Sequence, residues 1–289
     1  MSLPNSQKIH EQELVDNLFD NQGTYWRDTY EEKDIQGIIY QRRRAVALKY
    51  VESLSLPKTS KVLEIGCGAG LMTLALAKRG FLVEAIDHSQ VMVDLTVQIV
   101  KQNRLEKSIN VHAGDIHELS YENESFDLVI ALGVVPWLRD VNKALHEILR
   151  VTKRSGFVVL TADNVTRAST LFDPLTFPVV AQVRRKVRRK LEEAKLLTLV
   201  NLWVNTPTYQ RHSPRKFNKM LNEVGLNIIK STSVGFGPFT FLGYPLFSDQ
   251  TGIKINQKLQ NYADRGYPFL RSIGSQYIVL ATKRSNASP

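Results

Sequence analysis

Val62–Gly70 reads V-L-E-I-G-C-G-A-G. A short apolar run carrying one acid, Glu64, breaks into three glycines, Gly66, Gly68 and Gly70, and a helical pattern through Leu71, Leu74 and Ala75 follows. This is the pattern of a buried strand, a tight turn without β-carbons, and the first turn of a helix. Backbone can approach a ligand closely at such a place. A second, mostly apolar run, Phe81–Asp87, ends in an acid. In a parallel α/β sheet, an acid at the end of the second strand is positioned to hold a ribose.

Outward from this stretch the chain keeps a strand–helix beat. The periodicity predicts strands at Val62–Ile65, Phe81–Asp87, Ile109–His112, Phe126–Leu132 and Phe157–Ala162. Helices are predicted at Leu71–Arg79, stopped by Gly80, from Ser89 to Asn103 with Met92, Leu95 and Ile99 facing inward, and after Asp140. Strands alternating with helices imply a Rossmann-like α/β fold: a mostly parallel sheet with helices on both faces. The beat stops after residue 162 and resumes at Ser213-Pro214, an N-cap followed by proline at the first helical position. That helix closes at Gly225. Strands at Leu226–Ser233 and Ser275–Lys283 bring the sheet to seven.

The expected organisation is an N-terminal helical lid over 1–55 and a core over 56–162. A cap insertion over 163–212 and the rest of the core over 213–289 follow, the latter interrupted at 235–274 by an apolar, aromatic segment and a helical piece over Ile255–Asp264. The lid contains a helix over Asp34–Leu54. Its Tyr25, Trp26 and Tyr30 serve either as packing for that helix or as a cover over a bound cofactor. The cap insertion contains a basic amphipathic helix over Val179–Val200, with Arg184, Arg185, Arg188 and Arg189 on its polar face. Such a face either stays in solvent or meets a membrane surface or an anionic substrate.

The 289 residues carry a formal net charge of +10, which points to an anionic partner without choosing among nucleic acid, membrane surface and acidic substrate. One cysteine, Cys67, excludes an intrachain disulfide and fits a reducing, cytoplasmic compartment. The polar start, Met1–Gln12, lacks the apolar core of a signal peptide, and no run of about 18 apolar residues predicts a spanning helix. Neither CxxC nor HExxH spacing occurs, so no metal site is expected.

Taken together, the glycine turn, Asp87, Gly114-Asp115-Ile116 and the run F-D-L-V-I-A-L-G-V-V-P-W-L at 126–138 resemble the class I S-adenosylmethionine-dependent methyltransferases of the small-molecule type. The competing fingerprints fail. The third position of a dinucleotide G-x-G-x-x-G, counted from Gly66, is Leu71, and no Gly-Lys pair exists for a P-loop. The resemblance implies that Glu64 and the turn Gly66, Cys67, Gly68 and Gly70 hold the methionine end of the cofactor. It implies that Asp87 accepts from both ribose hydroxyls and that His88 and Met92 border the adenine. Asp115 then takes the adenine amino group beside the Ile116 backbone, while Leu132 and Gly133 lie under the sulfonium and face the acceptor.

Cys67 reads as a small turn residue and not a nucleophile, since no Cys–His pair adjoins it. For a general base, required only when the acceptor arrives protonated, the candidates are His212 and Asp163. Tyr25, Trp26 and Trp137 are candidates for acceptor contact. The two insertions suggest a hydrophobic or lipid-like small-molecule acceptor, methylated most simply at oxygen. The loop after strand four reads V-V-P-W and lacks the N-P-P-Y or D-P-P-Y of amino-methylating enzymes, which makes nucleic acid a lesser alternative. A non-catalytic partner protein that keeps the fold is the third.

Overall fold

The computed structural model describes residues 32–168, 173–177, 180, 183, 210–242 and 244–284. Tyr25, Trp26, Tyr30 and nearly all of the 179–200 helix lie outside them. Among the described residues there are nine strands: β1 Lys61–Ile65, β2 Leu82–Asp87, β3 Ile109–Ala113, β4 Phe126–Ala131, β5 Thr152–Asp163, β6 Leu226–Val234, β7 Thr240–Phe241, β8 Tyr244–Pro245 and β9 Gln276–Lys283. The α-helices among the described residues are α1 Ile35–Glu52, α2 Leu71–Ala77, α3 Gln90–Gln102, α4 Val141–Val151, α5 Pro214–Val224, α6 Asp249–Asp264 and α7 Leu270–Ile273.

Seven strands form one sheet in the order β3-β2-β1-β4-β5-β9-β6. β1 lies between β2 and β4, with Val62 paired to Val83 on one side and Leu128 on the other. These pairings are parallel, whereas β9 runs antiparallel to both β5 and β6. The order reverses at β1, so the crevice at its carboxyl end is where a ligand is expected in an open α/β sheet.

The alternation of β1 explains both the core and the site. Leu63 and Ile65 enter one cluster with Leu145 and Ile148 of α4 and Phe217 and Leu221 of α5. Val62 enters the other, with Val46 and Val51 of α1 and Leu74 and Leu76 of α2. Each such side chain, fully buried, contributes about 1.5–3 kcal/mol. Glu64 shares the parity of Val62, so the same alternation turns a carboxyl into the interior toward α2.

Caps set the helix starts. The Ser89 hydroxyl accepts from Met92 N, Asp140 from Lys143 N, and Ser213 from Lys216 N, with Pro214 in the first turn. Three expectations need correction. The inward face of α3 is Met92, Val93, Thr96 and Val100, while Leu95 and Ile99 are only half-buried. A buried threonine displaces the apolar stripe because its hydroxyl donates to Gly68 O at 2.6 Å. β5 begins at Thr152, five residues before the apolar run, since Thr152 already pairs with Phe126 ahead of a register shift. α6 begins at Asp249, six residues before Ile255, because part of its buried face is polar. Asn256 and Gln260 accept from Phe236 N and Gly235 N, a pattern that hydrophobic periodicity cannot reveal. Asn164 ties this insertion to the end of β5. It is fully buried, donates to Ser272 O and Gly274 O, and accepts from Thr166 N and Oγ1.

Candidate active site

The glycine turn crosses the carboxyl edge of the sheet. Gly66 N and Cys67 N both donate to Ile86 O, at 2.8 and 3.0 Å, which binds the turn to β2. A β-carbon at Gly66, where φ is +71°, would lie inside the van der Waals shell of Val134 Cγ2. Gly68, with φ +54°, would have no heavy atom within 4 Å of its β-carbon. Its peptide is fastened from both ends, by Gly68 N to Asp87 Oδ2 at 2.9 Å and by Thr96 to its carbonyl. The turn therefore presents open, rigid backbone to the cavity. Gly70 lies off the cavity wall; a β-carbon there would meet Ile99 Cγ2 at 2.9 Å, so its smallness serves helix packing.

Asp87 ends β2. Its Oδ2 accepts from Gly68 N and its Oδ1 from Ser89 N at 3.1 Å, which leaves each oxygen further acceptor capacity. That pair suits two neighbouring hydroxyls. Burial pushes the Asp87 carboxyl up, against the backbone hydrogen bonds that favour its charge. Glu64 is 3% exposed, and the Thr73 hydroxyl donates to its Oε2 at 2.5 Å. Burial, opposed by Thr73 and reinforced by the Asp87 charge, pushes its pKa up to about 8. A buried acid so placed suits a cationic partner.

The sign for stability follows from linkage. Between the unfolded carboxyl value near 4.5 and the folded value of about 8, the folded state binds more protons than the unfolded state. Glu64 therefore contributes to the stability of the ligand-free protein fully below the lower value, and that contribution is lost as pH rises through the upper one. Melting curves should show wild type losing stability from pH 5 to 8 relative to Glu64→Gln. Parallel pH profiles for the two proteins would refute the assignment.

Asp115 follows β3. Its Oδ1 accepts from His117 N and His117 Nδ1, at 2.8 and 2.7 Å, and its Oδ2 from Arg139 Nη2 at 2.6 Å. Asp140 N donates to His117 Nε2 at 3.3 Å, so the ring proton lies on Nδ1 toward Asp115. Burial raises the Asp115 carboxyl, but the His117 hydrogen bonds and the Arg139 charge outweigh it and hold it well below the usual carboxylate range. Only Oδ2 keeps acceptor capacity for a ligand.

Of the residues expected at the site, Glu64, Gly66, Cys67, Gly68, Asp87 and His88 line one cavity. Met92, Asp115, Ile116, Leu132, Gly133 and Trp137 line the same cavity, and Asp163, ending β5, also reaches it. Burial pushes the Cys67 thiol well up, consistent with an inert turn residue. His212 lies off the wall. Its backbone N donates to Asp163 O and its ring stacks on Phe217, 6.1 Å between centroids. Among the described residues neither ring nitrogen has a hydrogen-bond partner, and burial, with Lys216 nearby, lowers its pKa.

The residues missed from sequence are Tyr40, Arg43 and Arg44 of α1, Gln276 of β9, and the Arg139 partner of Asp115. Arg42, Arg43 and Arg44 are consecutive in the sequence, but nothing local shows that α1 returns to the sheet edge. Among the described residues, no group of three His, Cys, Asp or Glu side chains forms a metal site, and no helix is long and apolar enough to cross a membrane.

Comparison with known proteins adds the following. Residues 63–160 match a family described as a methyltransferase domain. The ubiquinone biosynthesis O-methyltransferase of Coxiella burnetii is 27% identical over 161 residues, 56% of this chain and 65% of that protein. The demethylmenaquinone methyltransferase of Lactobacillus johnsonii is 35% identical over 116 residues, 38% of this chain and 46% of its own length. The chain thus spans about half to two thirds of the curated relatives it matches. Magnesium protoporphyrin IX methyltransferase from Synechocystis, solved with bound SAH, superposes with a TM-score of 0.60 at 17% identity, covering 95% of this chain and all of that one. The cyclase SpnF superposes at 0.55 and 17% identity over 84% of this chain and 81% of its own. At these identities the structures share the fold alone.

Proposed function

We propose that this chain, in which residues 63–160 form a class I methyltransferase domain, transfers a methyl group from S-adenosylmethionine to oxygen of a small, hydrophobic acceptor. The observation that supports it most is the single cavity at the reversal point of the sheet. It brings the open Gly68 backbone, the doubly anchored Asp87 carboxylate and the buried Glu64 together. These groups fit a nucleoside with an amino-acid tail. Asp87 would hold the ribose, Glu64 the amino group, the glycine turn the carboxyl end, and Asp115, Ile116, His88 and Met92 the base.

The bound donor supplies an electrophilic methyl on a positive sulfur. The chain's own task is placement and exclusion of water, which can provide most of the rate. Gly68 and Asp87 fix each other, Thr73 orients Glu64, and His117 and Arg139 orient Asp115. Pro136 and Leu138 are buried in the loop after β4 and line the cavity next to Trp137, an apolar wall on the acceptor side.

The hydrophobic acceptor is supported by this wall and by the quinone-pathway names of the relatives. The test is transfer of labelled methyl from S-adenosylmethionine to a lysate, followed by fractionation. Label in the small-molecule or lipid fraction is expected; label confined to RNA would replace this reading with RNA methylation, for which the +10 charge is the argument. SpnF, a cyclase on the same fold, shows why no label at all would count against transferase activity.

Contact with a membrane surface belongs to the same reading. The basic 179–200 helix lies mostly outside the described residues, but the β7–β8 hairpin leaves Phe241, Leu242 and Tyr244 exposed. Aromatic and apolar side chains in that setting favour an interface. Flotation with anionic liposomes is expected, and an Arg184, Arg185, Arg188 and Arg189 quadruple substitution should reduce it; equal flotation of the variant would remove the helix from the account.

A further inference from the structure

β9 lies between β5 and β6 and is buried along most of its length. Its run Tyr277–Ala281 is apolar, as burial demands, yet the strand opens with Gln276, 6% exposed. Glutamine is mostly a surface residue, because its amide brings several hydrogen-bonding positions that must be met. The buried amides nearby are engaged by protein. Asn164 meets Ser272, Gly274 and Thr166, Asn256 meets Phe236 N, and Gln260 meets Gly235 N and Asp264. Gln276 differs: its Oε1 is sealed from solvent and, among the described residues, has no hydrogen-bond partner. Such an orphan destabilises the fold, so its reason lies outside the fold.

Gln276 lines the cavity of the glycine turn. Its backbone is fixed by pairing with Asp163 of β5 and Val234 of β6. The residue before it is held as well, by Ser275 N to Gly235 O at 2.5 Å and Asn164 N to Ser275 O at 2.9 Å. Residues directly opposite in a pair share a face, so Gln276 lies on the face of Asp163 and of Thr161. Thr161 Oγ1 accepts from Gly133 N at 2.6 Å, which joins this face to the loop after β4. The donor groups are on the other flank, in β1, β2 and the glycine turn. The order β1-β4-β5-β9 puts Gln276 three strands from β1, about 14 Å at the ordinary strand spacing. On the donor reading, the donor's amino group and its carboxylate are both held at that turn. Gln276 lies beyond them, on the side left to the acceptor.

We infer that Gln276 orients the acceptor, its amide oxygen accepting from a neutral hydroxyl that the acceptor carries apart from the oxygen that is methylated. This rests on the methyl-donor reading of the same cavity. The amide is uncharged, so its match in a buried place is uncharged, and the unmet atom accepts, so its match donates. A hydroxyl on an otherwise apolar molecule is the simplest such group. The last torsion of a glutamine is broad and soft, so a turn about it brings the oxygen to the cavity without moving the strand. The fixed backbone of β9 then sets where that hydroxyl stands relative to Gly133, and a molecule lacking it leaves the amide unmet.

The test is calorimetric titration of 4-butylphenol and of 4-butylfluorobenzene, alike in shape, into the full chain saturated with S-adenosylhomocysteine. Wild type should bind the phenol about tenfold or more tighter. Gln276→Met, apolar and near in volume, should abolish that preference and change S-adenosylhomocysteine affinity by less than about threefold. With the orphan removed, it should also raise the melting temperature of the ligand-free protein by about 2–4 °C. An amide that serves the fold would shift the melting temperature the other way. If Gln276→Met does not fold, Gln276→Leu takes its place, and failure of both would make the amide structural. That result, a lowered melting temperature, no phenol preference in wild type, absence of binding by both probes included, or an unchanged preference in the variant would each overturn the inference while leaving the donor site standing. Failure of S-adenosylhomocysteine itself to bind would overturn the donor reading, and this inference with it.

Discussion

Replacing Asp87 by alanine is expected to weaken S-adenosylhomocysteine binding by about 100-fold or more. Two hydroxyls accepted by one carboxylate are two charge-assisted hydrogen bonds, each worth about 1.5–3 kcal/mol. Alanine removes both. It also leaves Gly68 N and Ser89 N without the oxygens they now reach, at 2.9 and 3.1 Å, so the turn loosens as the ligand contacts vanish. Asp87→Asn separates the two effects. The amide keeps one acceptor oxygen and the shape, and should lose less. Circular dichroism checks that both variants fold. Unchanged affinity in a folded Asp87→Ala protein would place the ribose elsewhere.

Replacing Gly66 by alanine should cost both stability and binding. Its φ of +71° disfavours any side chain, by about 1–2 kcal/mol, and the new methyl collides with Val134. Overpacking of this kind adds about 1–3 kcal/mol. The turn must then move, and with it the two bonds to Ile86 O. Donor binding should fall at least tenfold and the melting temperature should drop by several degrees. Gly66→Ala combined with Val134→Ala should recover the part due to the collision and not the part due to backbone conformation. A double variant no better than the single would show that the collision contributes little.

The sheet and the grouping of residues along its carboxyl edge were legible because they are written in local patterns. The β1 run with its glycines, the acid ending β2, and the caps Ser89, Asp140 and Ser213 each depend on a few neighbouring residues. The start of α6 was not legible, because Asn256 and Gln260 are buried for the sake of two backbone N–H groups 20 and 25 residues away. The part of the cavity wall contributed by α1 was illegible for a related reason. Arg43 joins Gly133 across 90 positions of chain, and only the packing of α1 against the sheet brings them together. His212 illustrates the reverse. A histidine between a cap insertion and a core helix reads as a candidate base, yet its ring stacks on Phe217 off the cavity wall.

The donor site is the foundation of the functional reading, and one titration addresses it directly. S-adenosylmethionine, and separately S-adenosylhomocysteine, is titrated into the intact chain in a calorimeter. Saturable binding of one equivalent at micromolar affinity is predicted, tighter at pH 8 than at pH 6 because Glu64 must lose its proton to hold an ammonium group. No saturable binding of either compound at millimolar concentration would contradict the account.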